Sequence, residues 1–328
     1  DGCLAIDGYK ITIEDGEVTD TTKGTCEDVS LTSCTSPYFH PSPVEWFKFN
    51  ASDPTMLIGF QEKDDEHPNG WDGATEITIP CKNPDGQDIT SISNGAFSGA
   101  NITSLVIPDT VTLITNGAFI NNPIKNLILG QNIEGITNGS LNMRRGANSL
   151  KTLVIPDSVK IINFNSFNYC AIENLIFDGD VETITNGSFM DCSIENVVFN
   201  GNVNTIDDYS FGRSSIKNVV FNGSVKNIVQ DVFEHHKIKS VTLPEGLETF
   251  GNGAFYGEYL EEITFPKNTG NIVDFGDAVR YPNLKTIYNN TGKAYDWNAI
   301  LGNASRTPFI TGTVTRSDGS VVNILESD

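Results

Sequence analysis

A large apolar residue returns in this sequence at a fixed interval. Phe97, Phe119, Leu141, Phe167, Phe189, Phe211, Phe233 and Phe255 are spaced 22, 22, 26, 22, 22, 22 and 22 residues apart. Five positions before each stands Ile92, Ile114, Ile136, Ile162, Ile184, Ile206, Ile228 or Phe250. After each comes a second signature, apolar-x-x-apolar-x-apolar, as in Ile102-Leu105-Ile107, Ile124-Leu127-Leu129 and Ile194-Val197-Phe199. A first copy is Ala74-Ile77-Ile79 and a degenerate last one is Leu284-Ile287, so residues 74–290 hold ten such positions.

A unit of 22 residues cannot bury its own apolar side. Stacked copies bury theirs against each other in one continuous core, which makes the chain a solenoid. The x-apolar-x-apolar stretch has period 2, so it reads as a short strand with one inward face. Successive strands then pair in parallel, giving a ladder of about ten short strands. In segments such as TNGAF (115–119) and TNGSF (185–189), a polar residue can accept the amide hydrogens that open a short helical turn. The sequence therefore predicts helical turns on the convex side, each dropping its Phe into the core.

The pitch is not uniform. Ile77 to Leu105 is 28 residues, with an insertion at CKNPDGQD (81–88); Leu127 to Leu153 is 26, with an insertion at NMRRGANS (142–149). Ile263 to Ile287 is 24, where the pattern decays. Strands also leave by two kinds of turn. Pro108, Pro156, Pro244 and Pro266 end four of them, and Asp178-Gly179, Asn200-Gly201 and Asn222-Gly223 end three. The glycine steps suit turns that need positive φ.

The unit written ITSLVIPDTVTLITNGAF at 102–119 and LKTLVIPDSVKIINFNSFNYCAIENL at 150–175 resembles the BspA-like (Treponema pallidum-type) leucine-rich repeat. The resemblance implies an α/β-type leucine-rich-repeat solenoid. It also implies a secreted or cell-surface protein of a bacterium or protist, often an adhesin or a binder of host factors. The tail TIYNNTGKAYDWNAILGN at 286–303 is similar to the end of such arrays in Gram-positive bacteria. Three segments are expected: an acidic, cysteine-bearing N-terminal cap or small β-rich domain at 1–73, the array at 74–290, and a C-terminal cap and tail at 291–328.

Charge narrows the partners. The formal net charge is −21, and residues 1–90 contribute 18 acidic against 5 basic side chains. A field of this sign repels phosphate backbones and anionic lipid, so nucleic acid and direct binding to a membrane surface are poor expectations. No apolar run approaches the roughly 18 residues that span a bilayer. The chain opens at Asp1-Gly2-Cys3 without an apolar leader and reads as an exported ectodomain whose targeting segment lies elsewhere. Cys3, Cys26, Cys34 and Cys81 suggest disulfides in an oxidising compartment, with three pairings open. Cys170 and Cys192 hold the same place in neighbouring units and read as buried thiols filling core space rather than as a bridge.

Binding is expected on the concave side, from residues between the inward strand positions. The middle column there is Val106, Ile128, Val154, Ile176, Val198, Val220, Thr242, Thr264 and Tyr288. Beside it run Asn126, Asn174, Asn196 and Asn218, and beyond it Asp178, Asn200 and Asn222. An aliphatic stripe flanked by amides suits a host or cell-surface protein or glycan. Two blander explanations stand beside it. β-Branched residues suit strands, and stacked Asn side chains bond to one another along a ladder.

No catalytic residue, cofactor or metal site is expected. The chain contains no Gly-x-Ser-x-Gly, no His-Glu-x-x-His and no phosphate-cradling loop. His235 and His236 have no further ligand at metal spacing and read as surface or satisfied histidines. Asp64, Asp65 and Glu66 lack the calcium-loop spacing. The functional expectation is a non-catalytic binding protein of the cell surface or medium. The alternative is a structural subunit or tip of a pilus-like filament. Oligomeric state is not legible in the sequence.

Overall fold

The computed structural model describes residues 2–6, 9–14, 17–23, 31–36, 39–143, 149–269, 271–272, 282–301, 303, 308, 310–315 and 319–326, with backbone alone for 2–23 and 271–272. The chain divides into two compact units, Asp1–Val159 and Lys160–Asp328. Each is a β-solenoid of stacked parallel strands in its repeat region.

In the first unit, Glu76–Thr78, Ser104–Val106 and Asn126–Ile128 form one parallel ladder. A second ladder joins Met56–Phe60, Ser91–Ile92, Leu113–Ile114 and Gly135–Ile136. Phe47–Phe49 closes this second ladder as an antiparallel edge on Met56–Phe60. Here the aromatic core ends in a cap: Phe60 stacks on Trp71 at 4.3 Å and meets Phe97 edge-on at 4.7 Å. Further N-terminal, Gly2–Ile6, Tyr9–Glu14 and Glu17–Lys23 make a three-stranded antiparallel sheet. Residues 31–36 and 39–46 reach the first ladder, with Ser42 N–H donating to the Thr78 carbonyl at 2.9 Å and Asp109 N–H to that of Thr32 at 3.0 Å. A disulfide joins Cys34 to Cys81 across a separation of 47 residues. Cys26 lies outside the described residues, as does 144–148 of the second insertion.

In the second unit the first strands are Ala171–Phe177, Ser193–Phe199 and Asn218–Phe221, in register through Asn174, Asn196 and Asn218. A separate sheet holds Ser240–Thr242, Glu262–Phe265, Thr286–Asn289 and Val321–Leu325, closed by the antiparallel strand Gly312–Thr315. The second ladder runs from Ile161–Ile162 through Val181–Ile184, Val203–Ile206, Val225–Ile228 and Thr249–Phe250 to Asn271–Ile272. A short helix, Trp297–Ile300, follows the array; Asp296 accepts from Ala299 N–H at its start, and Trp297 is fully buried.

Units that leave through Asp-Gly or Asn-Gly have first strands of up to 7 residues, Ala171–Phe177 and Ser193–Phe199. The Gly179, Gly201 and Gly223 backbones stack so closely that a Cβ on Gly201 would lie 2.2 Å from the Gly179 carbonyl carbon. Only glycine leaves room for that approach.

The expected helical turns on the convex side do not form. Two residues before each core Phe the backbone is left-handed, as at Gly117 (φ 63°), Asn165 (φ 56°) and Tyr209 (φ 53°). It is left-handed again two residues after, at Asn121 (φ 64°), Asp191 (φ 59°) and Arg213 (φ 57°). Single left-handed residues so close together cannot continue a right-handed helix. The segment is instead a pair of tight turns whose amides bond to the next unit. Phe189 N–H donates to the Ser210 carbonyl at 2.8 Å, Phe211 N–H to that of Val232 at 3.0 Å, and Phe233 N–H to that of Ala254 at 2.8 Å. Neighbouring units are thus stitched on three sides rather than one.

Inside, the phenylalanines stack. Ring centroids of Phe167, Phe189, Phe211, Phe233 and Phe255 follow at 5.0, 5.1, 5.2 and 4.7 Å. A second file, Phe177, Phe199 and Phe221, continues at 4.7 and 5.2 Å.

Candidate binding face

The residues between inward strand positions lie on the outer side of the first-strand ladders, and each unit presents its own set. In the first unit Val106 and Ile128 are paired in register and half-buried. Val154 is also half-buried, on Leu150–Ile155, which is not hydrogen-bonded to Asn126–Ile128. Asn126 is exposed.

In the second unit Ile176, Val198 and Val220 stand in one register column. Exposure rises along it: Ile176 is 7% exposed, Val198 is half-buried, and Val220 is 45% exposed. Tyr288 is half-buried and pairs with Thr264, further along in the separate sheet.

Two amide ladders border the column. Asn218 Nδ2 donates to Asn196 Oδ1 and Asn196 Nδ2 to Asn174 Oδ1, both at 2.8 Å. On the other side Asn222 Nδ2 donates to Asn200 Oδ1 at 2.9 Å, and Asn200 Nδ2 approaches Asp178 Oδ1 at 3.5 Å. These bonds fix the side chains at both borders of the stripe. They leave each amide with further donor and acceptor capacity toward solvent.

The inner polar positions serve the fold. Three residues after Phe119, Phe167, Phe189, Phe211 and Phe233 stands a buried slot that can take a polar side chain. Asn122 Nδ2 donates to the Phe97 carbonyl at 2.8 Å, Cys192 Sγ to that of Phe167 at 3.1 Å, and Ser214 Oγ to that of Phe189 at 2.7 Å. Cys170 and Cys192 sit in this slot as buried thiols. His236 fills it in the next unit. Its Nδ1 accepts from Ile238 N–H at 2.8 Å, so Nε2 carries the proton and donates to the Phe255 carbonyl at 2.8 Å. His235, its exposed neighbour, points away to Glu234.

Burial lowers the His236 pKa to about 4. The unfolded imidazole protonates near 6.5 and the folded one does not, so protonation favours unfolding across that interval. Stability is full above pH 6.5 and is lost as pH falls toward 4, by about 3 kcal/mol from this group. Urea unfolding between pH 7 and pH 4 should therefore show a loss that His236→Gln largely removes. An equal loss in both proteins would assign the acid sensitivity elsewhere.

Other shifted groups have local causes. The hydrogen bond from His67 holds the Asp64 carboxyl below its usual range. The Tyr209 hydroxyl donates to Asp231 Oδ2 at 3.1 Å, and that carboxylate raises the phenol. Among the described residues no group of three or more His, Cys, Asp or Glu is arranged to hold a metal ion, and no helix is long and apolar enough to cross a membrane.

The model of the BspA-type leucine-rich repeat region matches this chain at residues 74–195 and 160–277, with 6 copies of the repeat. No curated protein matches it. Among solved structures, it is similar to a leucine-rich repeat protein from Bacteroides ovatus at 17% identity and a TM-score of 0.40, covering 74% of this chain and 68% of that one. A leucine-rich repeat protein from Eubacterium ventriosum is 14% identical with a TM-score of 0.35, covering 71% and 73%. A leucine-rich cell-surface protein from Faecalibacterium prausnitzii is 15% identical with a TM-score of 0.31, covering 93% and 99%. By its repeat, counted in the sequence and matched over more than half its length, the chain belongs to the BspA-type leucine-rich repeat family.

Proposed function

We propose that this chain is a non-catalytic binding protein, secreted or displayed at the cell surface, that recognises a protein or glycan through the outer side of its first-strand ladders. The observation that carries the reading is the aliphatic column of the second unit, where Val198 and Val220 reach solvent between two hydrogen-bonded amide ladders. Such a face is fixed before a partner arrives, so little ordering entropy is lost on binding. The Cys34–Cys81 disulfide supports an oxidising, extracytoplasmic compartment. The shifted titratable groups support a non-catalytic role, since each serves a turn, a ladder or the core.

The test is capture of purified host and cell-surface proteins, and of arrayed glycans, by the immobilised chain. Val198→Asp with Val220→Asp is expected to weaken capture on the order of tenfold or more. Val220 is exposed, so its substitution alone should move the melting curve little, whereas substitution of half-buried Val198 is expected to lower it modestly. Capture that survives both substitutions in a folded variant would remove this face from the account.

A further inference from the structure

The first-strand ladder of the second unit is interrupted between Asn218–Phe221 and Ser240–Thr242. The pitch there is the regular one, Val219 to Val241, so no insertion causes the break. The break coincides with a change of turn from Asn-Gly to Pro. Asn200 N–H donates to the Phe177 carbonyl at 2.9 Å, and Asn222 N–H to that of Phe199 at 2.8 Å. Pro244 stands at the next equivalent position, and proline has no N–H to give the Phe221 carbonyl. Leu243 N–H donates forward to the Thr264 carbonyl at 2.9 Å, as Ile107 N–H does to that of Ile128, so the following ladder is intact. The two repeats stay joined elsewhere. Phe211 N–H still bonds Val232, Lys237 N–H reaches the Ile216 carbonyl at 2.7 Å, and Val225–Ile228 pairs with Thr249–Phe250. Only the first-strand side opens.

The opening uncovers apolar surface. Val197 and Phe199 are fully buried, whereas the equivalent Val219 and Phe221 are half-exposed, and Val220 between them is exposed. It also lies in the basic part of an acidic chain. Residues 209–243 carry five Lys and Arg against two Asp and Glu, in a protein of net charge −21. Lys217, Lys237 and Lys239 flank the two strands and are exposed. Lys217 is bound to Glu195 at 2.6 Å. Glu261, near Lys239, is itself bonded to Lys285 at 2.6 Å, and among the described residues no carboxylate lies within ion-pair distance of Lys237 or Lys239.

We infer that this opening seats an extended acidic peptide of a protein partner, with an apolar side chain against Val220 and Phe221 and its carboxylates on Lys237 and Lys239. Cα atoms of Asn218–Phe221 and Ser240–Thr242 still approach within 8 Å, too close for a further strand, which needs about 9–10 Å between its neighbours, so the peptide lies across the outer side of the two strands. Charge of opposite sign at the rim guides approach and register, and the apolar centre supplies the burial. The inference rests on the proposed binding role and names the partner's chemistry and the place where it docks.

The test uses the full chain and labelled peptides read by fluorescence anisotropy. The probe is acetyl-Asp-Val-Glu-Phe-Glu-Val-Asp-amide, beside a counterpart with every acid replaced by lysine. The acidic peptide is expected to bind saturably and the basic one at least tenfold more weakly. Lys237→Glu with Lys239→Glu should cut affinity for the acidic peptide on the order of tenfold, as should Val220→Asp. Lys226→Glu, on the second ladder, changes net charge as much as Lys239→Glu alone and should leave binding nearly unchanged, because distant exposed charges are screened. Equal binding of the two peptides, or an effect of Lys226→Glu as large as that at Lys237 and Lys239, would overturn the assignment. If no peptide binds while capture of a protein or glycan still depends on Val198 and Val220, the acidic-peptide assignment fails and the broader binding role stands. If the peptide binds as described but that capture does not depend on Val198, the opening is the site and the broad face is not.

Discussion

Truncating Phe211 to alanine is expected to destabilise the second unit by about 3–5 kcal/mol. Its ring is fully buried, stacked on Phe189 at 5.1 Å and on Phe233 at 5.2 Å, with Phe199 edge-on at 6.3 Å. Removing it leaves a cavity in the middle of the file and ends stacked pairs on both sides, each worth about 0.5–1.5 kcal/mol beyond burial. The surrounding backbone is tied on three sides and cannot collapse into the space. In a stack whose units contact only their neighbours, the loss stays local. Urea unfolding should report the lower midpoint. Hydrogen exchange should accelerate most between 185 and 235. Uniform acceleration through the second unit would show that its repeats unfold as one block, not as coupled neighbours.

The second large effect comes from adding one carbon. Gly201→Ala is expected to cost about 3 kcal/mol or more, at the upper end of what overpacking does. The new Cβ would meet backbone of the preceding unit, at 2.2 Å from the Gly179 carbonyl carbon and 2.4 Å from its oxygen. No rotamer change relieves a clash with main chain. The repeat must therefore separate from the preceding one, which loosens the Asn200–Asp178 contact beside it. Gly223→Ala should behave alike, since its Cβ would meet the Gly201 carbonyl oxygen at 2.2 Å. Gly187→Ala is a useful contrast. Its nearest neighbours are side-chain atoms at 3.1 Å and beyond, so its cost comes mainly from a φ of +67° that suits glycine. Thermal melts of the three variants should rank Gly201 and Gly223 together, below Gly187.

These variants show which parts of the fold the sequence makes legible. The pitch, the core phenylalanines and the strand positions follow from counting, because every unit must repeat the same burial. The Asn174–Asn196–Asn218 ladder is likewise readable, since equal spacing puts equal amides side by side. The turns around each Phe are not. Their left-handed positions are filled by Gly in some units but by Asn, Tyr, Asp, Arg and His in others, so no single residue type announces them. Amides donating to the next unit hold those residues in place, and that support exists only once units stack. Met56–Phe60 also joins the second ladder without carrying the repeat pattern, since its other edge pairs with the antiparallel strand Phe47–Phe49 and not with a further repeat. The opening at Phe221 coincides with the change from Asn-Gly to Pro turns. Pro244 is plain in the sequence, but the break appears only when the pairing partner of each strand is known.

The stripe illustrates the same limit. Val106, Ile128, Val154, Ile176, Val198 and Val220 occupy one position in six repeats. Their exposure differs widely, from buried Ile176 to exposed Val220. Position in the repeat sets the direction of a side chain, while its neighbours set how much of it meets water.

The most direct test of the account is a hydrogen-exchange footprint of the full chain with and without a partner captured in the binding screen. Protection is expected in the first strands Ser193–Phe199 and Asn218–Phe221 and at Lys237–Thr242, with the Phe turns at 207–213 unchanged. Protection confined to the Phe turns or to residues 1–73, with those first strands unaffected, would contradict it.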